Sequence, residues 1–192
     1  TKIIYLANPD NPTGTYFTIN QFDTFMKNVP DRVLIILDEA YFEYAQFVKD
    51  YPDSMFYRYD NVITLRTFSK IYGLAGFRVG YGFAHKNLIK NLLKVKLPFE
   101  PSISGQAAAL GALSDENHLN ESIKVNRIGF KKITSALDKL QINYINTVTN
   151  FITFYFESKE RAFECSNFLL ERGVIVRNLS SFGLSNCIRV TV

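Results

Sequence analysis

The 192-residue sequence has two cysteines, no long apolar run and little net charge, and each shortage removes a class of protein. Cys165 and Cys187 have neither CxxC spacing nor the density of a stapled secreted scaffold, so reduced thiols in a cytoplasm are expected. No apolar stretch approaches the ~20 residues that a bilayer-spanning helix needs. Val33–Leu37 is typical of the short runs present, and no membrane association is expected. Lys+Arg 22 against Asp+Glu 18 leaves a net charge of +4, and the basic residues are scattered. The densest group, Lys90, Lys94 and Lys96, reads as the solvated face of a helix rather than a nucleic-acid stripe. His85 and His118 have no carboxylate or cysteine at ligand spacing, so no metal site is expected.

What is present fits a globular protein, with 47% hydrophobic and 21% charged residues. Residue 1 is Thr and Lys2–Leu6 already reads as a buried strand, while Ile188–Val192 stops in mid-strand. Domains rarely begin and end inside core strands, because the cut leaves backbone groups unpaired. The chain is therefore expected to be a piece of a longer protein.

The first stretch alternates strands and helices. Ile3–Leu6 ends in the turn-rich Asn8-Pro9-Asp10-Asn11-Pro12-Thr13-Gly14. Thr18 with Gln21 fits a capping box, and Phe22, Phe25, Met26 and Val29 form the apolar stripe of a helix that Pro30 terminates. Val33–Leu37 is near-continuously apolar, as strands covered on both faces are, and Val62–Leu65 and Arg78–Phe83 repeat the strand signal. This order argues for a mainly parallel α/β sheet. Leu88, Leu92 and Val95 sit at helix spacing, Gln106–Leu113 is rich in Ala and Leu, and a long amphipathic helix follows Asp115. Strands are expected at Phe151–Phe156, Val174–Arg177 and Ile188–Val192, with a helix at Glu160–Arg172 stopped by Gly173. This reads as two domains, 1–114 and a smaller α+β one at 115–192.

Ligands of parallel α/β sheets lie beyond the carboxyl ends of the strands. Three predicted strands end there in polar clusters: Asn11-Pro12-Thr13-Gly14, Asp38-Glu39-Ala40-Tyr41, and Arg66-Thr67-Phe68-Ser69-Lys70. Each alone is commonplace, as a turn, a helix cap or a Ser-Lys pair. In this order on parallel neighbours they would bring an Asn, an Asp, a Tyr and a Lys to one rim. Tyr44, Tyr51, Tyr57 and Tyr59 read as packing of a loop or a partner subunit. Ser69-x-x-Tyr72 lacks the G-x-S-x-G elbow of a hydrolase.

With these residues the sequence resembles the fold-type I pyridoxal-phosphate enzymes, specifically the histidinol-phosphate aminotransferases. The resemblance runs from Asn8-Pro-Asp-Asn-Pro-Thr-Gly14 to Ile188-Arg-Val-Thr-Val192, and its most specific segment is Ser69-Lys-Ile-Tyr-Gly-Leu-Ala-Gly-Phe-Arg-Val-Gly-Tyr81. It implies a large domain with a mainly parallel sheet, of which 1–114 is the C-terminal part, and a small C-terminal domain at 115–192. It also implies a homodimer and the cofactor pyridoxal 5'-phosphate, which acts as an electron sink. Lys70 is then the residue of the internal Schiff base and the proton shuttle at the substrate α-carbon, a task suited to an amine whose pKa can be lowered. Asp38 takes the pyridine N–H in a charge-assisted bond. Tyr41 and Asn11 donate to the ring oxygen. Arg78, with Thr67 and Ser69, binds the cofactor phosphate, where a guanidinium fork suits the anion. Arg189, Arg177 and Asn150 fall at positions near the substrate.

The implied reaction exchanges the amino group of histidinol phosphate with 2-oxoglutarate, giving glutamate, and involves no nucleic acid. Threonine-phosphate decarboxylases share the architecture, and a non-catalytic structural fragment is a third reading. Because the resemblance places half of the cofactor pocket in residues before Thr1, the isolated chain is expected to be inactive.

Overall fold

The computed structural model describes residues 1–56 and 59–192, so Tyr57 of the aromatic stretch lies outside the described residues. The contacts divide the chain into two compact units, Thr1–Pro9 with Tyr16–Ile123, and Asp10–Thr15 with Lys124–Val192.

The first unit is built on a sheet in the order β1 (Ile3–Ala7), β2 (Leu34–Asp38), β3 (Val62–Thr67) and β4 (Gly80–Ala84). The first three strands are parallel and β4 runs antiparallel to β3, so the sheet is mixed but mainly parallel, as expected. Helix α1 (Ile19–Asn28) starts at the predicted capping box: Gln21 N donates to Thr18 Oγ1 and Thr18 N donates to Gln21 Oε1. Its stripe of Phe22 and Met26 packs on Val33, Ile35, Leu37 and Val62. Burying a side chain such as Phe22 contributes about 1.5–3 kcal/mol.

The expectation of strands covered on both faces is only half met. Burial along β2 alternates, and on the other face Ile3 and Tyr5 of β1 are 55% and 57% exposed. Within this unit α1 supplies an apolar layer to one face, and the alternation of side chains along a strand directs every second residue away from it. A short helix α2 (Phe42–Ala45) follows β2. Then come α3 (Lys86–Val95) and α4 (Ile103–Ser114), whose Ala109 and Ala112 pack against Phe68 and Val79. The apolar stripe of α3 lies at the surface, with Val95 76% exposed.

Helix α5 (Glu116–Lys139) is the predicted long amphipathic helix, and from Lys124 onward it belongs to the second unit. That unit carries an antiparallel sheet ordered β5 (Asn143–Tyr144), β6 (Phe151–Tyr155), β8 (Cys187–Thr191) and β7 (Arg177–Asn178), with α6 (Lys159–Leu170). Its core is Leu137, Ile152, Phe154, Ala162 and Ile188. Strand β7 overlaps the predicted Val174–Arg177 only at Arg177 and continues to Asn178, while Val174 and Ile175 are exposed and pair with no strand among the described residues. The segment Asp10–Thr15 is held in this unit by Thr153 Oγ1 donating to Pro12 O at 2.6 Å and Val148 N donating to Gly14 O at 3.0 Å. Gly14 is obligatory there. Its φ is +75°, and a Cβ would fall 1.9 Å from Thr147 Oγ1.

Among the described residues no helix is long and apolar enough to cross a membrane. Cys165 and Cys187 are free thiols.

Candidate active site

Parallel pairing aligns the carboxyl ends of β1, β2 and β3, with Ala7 opposite Asp38 and Asp38 opposite Leu65. In the first unit, Asp38, Tyr41 and Lys70 therefore emerge from neighbouring strand ends, which the parallel order predicts. The half-buried Asp38 accepts from Ala40 N at 3.0 Å through Oδ1 and from the Tyr5 hydroxyl through Oδ2. Burial, followed by this bond to a carboxylate, pushes the Tyr5 phenol up to about 12. Tyr41 is 5% exposed, and the Lys70 ammonium, itself at the surface, lies 5.2 Å from the centre of its ring. That distance is within cation–π range.

The segment after β3 is tied down at several points. Thr67 Oγ1 accepts from Ser69 N at 3.1 Å, and Lys70 O accepts from Gly73 N at 3.0 Å. From α5, His118 Nε2 donates to Ile71 O at 2.9 Å. The ladder to β4 continues past the Thr67–Gly80 pair through Phe68 N to Val79 O, so residues 78–80 run beside residues 67–69. Arg78 sits there at φ +52°, with Nη1 donating to Ala75 O at 2.8 Å. A non-glycine residue in the left-handed region carries backbone strain, and such residues cluster at functional sites.

The other predicted residues belong to the second unit. Arg189 Nη1 donates to Asn11 Oδ1, and the Arg189 guanidinium stands 4.8 Å from the centre of the Phe151 ring. With its carbonyl engaged, the Asn11 amide presents its NH₂ as a donor. Arg177 and Arg189 are direct cross-strand partners. Two like charges opposite each other on one sheet face disfavour each other unless an anion lies between them. Asn150, next to Phe151, accepts from Val192 N at 2.9 Å through its backbone carbonyl. Of the tyrosine stretch, Tyr51 is buried and donates to Asn8 O, while Tyr59 packs edge-on against Phe22, both structural positions.

Sequence reasoning missed the charges behind the rim. Glu39 and Glu43 are 0% and 4% exposed, and Arg66 is 8% exposed. Arg66 donates to Glu39 Oε2 at 2.7–2.8 Å and to Asp53 Oδ1 at 3.0 Å. Burial lifts the Glu39 carboxyl to about 6 against the downward pull of Arg66. It lifts Glu43 further, to about 7, and Glu43 Oε2 has no hydrogen-bond partner among the described residues. The signal was available: Glu39 falls in step with Val33, Ile35 and Leu37, and Arg66 with Val62 and Thr64. Tyr5 was legible in the same way, since alternation puts it on the face of Asp38.

The family model for aminotransferase class I and II matches residues 1–192. The chain is 44% identical over its whole length to histidinol-phosphate aminotransferase 2 of Carboxydothermus hydrogenoformans, covering 53% of that protein. The histidinol-phosphate aminotransferase of Sinorhizobium meliloti, solved in complex with pyridoxal-5'-phosphate, superposes with a TM-score of 0.90 at 30% identity, with 100% of this chain and 53% of that one covered. The L-threonine-O-3-phosphate decarboxylase of Porphyromonas gingivalis reaches a TM-score of 0.82 at 21% identity, covering 100% of this chain and 59% of that one, and shares the fold alone. The chain thus spans about half the length of the relatives it matches. With a family match from first residue to last and the strand-end cluster of Asp38, Tyr41 and Lys70 in a mainly parallel sheet, the chain belongs to the class I and II aminotransferases.

Proposed function

We propose that the full-length protein exchanges the amino group between histidinol phosphate and 2-oxoglutarate with pyridoxal 5'-phosphate as its cofactor, as a cytoplasmic homodimer. The observation that carries this reading is the rim on which Asp38, Tyr41 and Lys70 stand together, the Lys70 ammonium 5.2 Å from the Tyr41 ring centre. The donor set fits the cofactor. A carboxylate matches a pyridine N–H, an amine matches an aldehyde, and hydroxyls with a guanidinium on adjacent backbone match a phosphate. When bound, pyridoxal phosphate supplies an electron sink for the pair left as a substrate C–H bond breaks.

The chain's own residues take the other parts. Lys70 holds the cofactor and carries the proton to and from the substrate α-carbon. Asp38, steadied by Tyr5 and the Ala40 amide, accepts from the ring nitrogen and keeps it protonated. Tyr41 and the Asn11 NH₂ donate to the ring oxygen. Thr67, Ser69 and Arg78 bind the cofactor phosphate. Arg189 and Arg177, paired across β8 and β7, receive the anionic group of the substrate, with Asn150 beside them. That group is a phosphate in histidinol phosphate and a carboxylate in 2-oxoglutarate, and one guanidinium pair can bind either. On this reading residues 1–114 are the C-terminal part of the cofactor-binding domain and 115–192 the small domain. The decarboxylase alternative has only likeness of fold behind it.

The test is to mix the protein with pyridoxal phosphate, reduce with borohydride and map pyridoxyl groups by peptide mass spectrometry. Label on Lys70 above that on surface lysines such as Lys90, with turnover of histidinol phosphate, is the expected result. Indiscriminate labelling of the full-length protein would overturn it.

A further inference from the structure

The carboxyl ends of β2 and β3 carry charge on both faces of the sheet. Asp38 and Thr67 stand on one face. On the other, the buried rows Val33, Ile35, Leu37 and Val62, Thr64 continue into Glu39 and Arg66, where an aliphatic core would be expected to go on. Two guanidinium N–H groups converge on Glu39 Oε2 at 2.7 and 2.8 Å, and the side chains are 7% and 0% exposed. The Phe42 ring centre lies 3.3 Å from the guanidinium carbon and that of Phe83 5.4 Å, so two aromatic rings pack against it. Arg66 Nη2 also donates to Asp53 Oδ1 at 3.0 Å.

Stability alone does not explain this arrangement. Removing two charges from water costs about as much as their attraction returns, and well-packed apolar residues commonly do as well or better. What the ion pair has and an aliphatic contact lacks is direction. It fixes the separation and register of the two strand ends within hydrogen-bonding tolerance. Its members also stand one residue from the rim on each strand: Glu39 follows Asp38, and Arg66 precedes Thr67. Glu39 ties in two further ways, its N–H donating to Leu65 O at 2.9 Å and its C=O accepting from Phe42 N at 3.0 Å, which starts the turn that carries Tyr41.

We propose that Glu39 and Arg66 form a positioning pair that sets, from behind the sheet, the distance between the Asp38–Tyr41 turn and the Lys70 loop. The inference rests on the cofactor reading above and assigns the pair no contact with cofactor or substrate. Catalytic constellations tolerate misplacement of only about 0.5 Å. An error of about 1 Å can cost about 100-fold.

The experiment uses the full-length protein and its Glu39→Gln, Arg66→Lys, Arg66→Met and Glu39→Met/Arg66→Met variants at pH 8, where both partners are charged. Each is incubated with pyridoxal phosphate and reduced, the pyridoxyl group on Lys70 is quantified against Lys90, and the urea midpoint is recorded. Glu39→Gln and Arg66→Met are expected to lose Lys70 labelling by about 10-fold or more without denaturant, and Arg66→Lys to recover part of it. The double Met variant, which removes the charges and keeps apolar volume, is expected to fold and still label poorly. Wild-type labelling in that folded variant, whatever its urea midpoint, would overturn the positioning role and leave the cofactor reading intact. Wild-type protein that labels Lys70 no better than Lys90 would overturn the cofactor reading itself, and the pair's role with it.

Discussion

In the first unit the buried face of the sheet turns ionic at its carboxyl end, enclosing Glu39, Glu43 and Arg66. The second unit handles buried polarity with neutral groups: Thr153 donates to Pro12 O at 2.6 Å and Thr134 to Phe130 O at 3.0 Å, beside an apolar core of Leu137, Ile152, Phe154, Ala162 and Ile188. Its two sheet arginines, Arg177 and Arg189, are not buried. A hydroxyl satisfied by a carbonyl is indifferent to pH, whereas an enclosed carboxyl is not. Stability and site geometry thus depend on different forces in the two units. Four variants test this contrast, from the largest expected effect to the least.

The largest effect is expected at the rim. Lys70→Ala in the full-length protein should lower turnover of histidinol phosphate by at least about 1,000-fold, read by steady-state kinetics, with the urea midpoint unchanged because the side chain is exposed. A variant that keeps a tenth of the activity would show that the chemistry lies elsewhere. Next, Ile152→Ala removes a side chain that is 0% exposed in the second unit and should cost about 2–5 kcal/mol in denaturant titrations. That cost should be the same at pH 5 and pH 8.

Glu43→Gln should behave in the opposite sense. Burial raises the Glu43 carboxyl to about 7, so the folded protein holds a proton that the unfolded chain releases at lower pH. The stability this contributes is fully present below the ordinary Glu range near 4.5 and is lost as pH rises through about 7. The amide should therefore change little at pH 5 and stabilise by up to about 3 kcal/mol at pH 8. Equal effects at both pH values would show that Glu43 is solvated. The smallest change is expected at the arginine pair. Arg177→Gln should raise stability by about 0.5 kcal/mol in the absence of anions, because it relieves repulsion across β7 and β8. Added inorganic phosphate should protect the wild type more than the variant, and equal protection would argue against a shared anion site.

Much of this was legible in the chain. The Thr18–Gln21 capping box, the long α5 and the alternation of strands and helices in the first stretch follow from local rules, since capping, helical spacing and β-branched runs act within a few residues. The Asp38, Tyr41 and Lys70 cluster could be foreseen because parallel strands align their carboxyl ends. Glu39 and Arg66 escaped because a Glu or Arg in sequence reads as solvated: strand alternation puts each on the buried face, but only the fold supplies the partner 27 residues away. The exposed stripe of α3 and the short β7 escaped because periodicity shows that a helix or strand has an apolar face, not what covers it.

Backbone preferences and side-chain period act locally, so the chain alone specified most of the helices and long strands, their alternation and the polar residues at their ends. Folding settled the rest: which charges are buried, that Arg177 and Arg189 face each other across a sheet, and that Asp10–Thr15 packs with the second unit rather than with the strand before it. Those outcomes depend on contacts between residues far apart in the chain, and no local pattern encodes the distance between them.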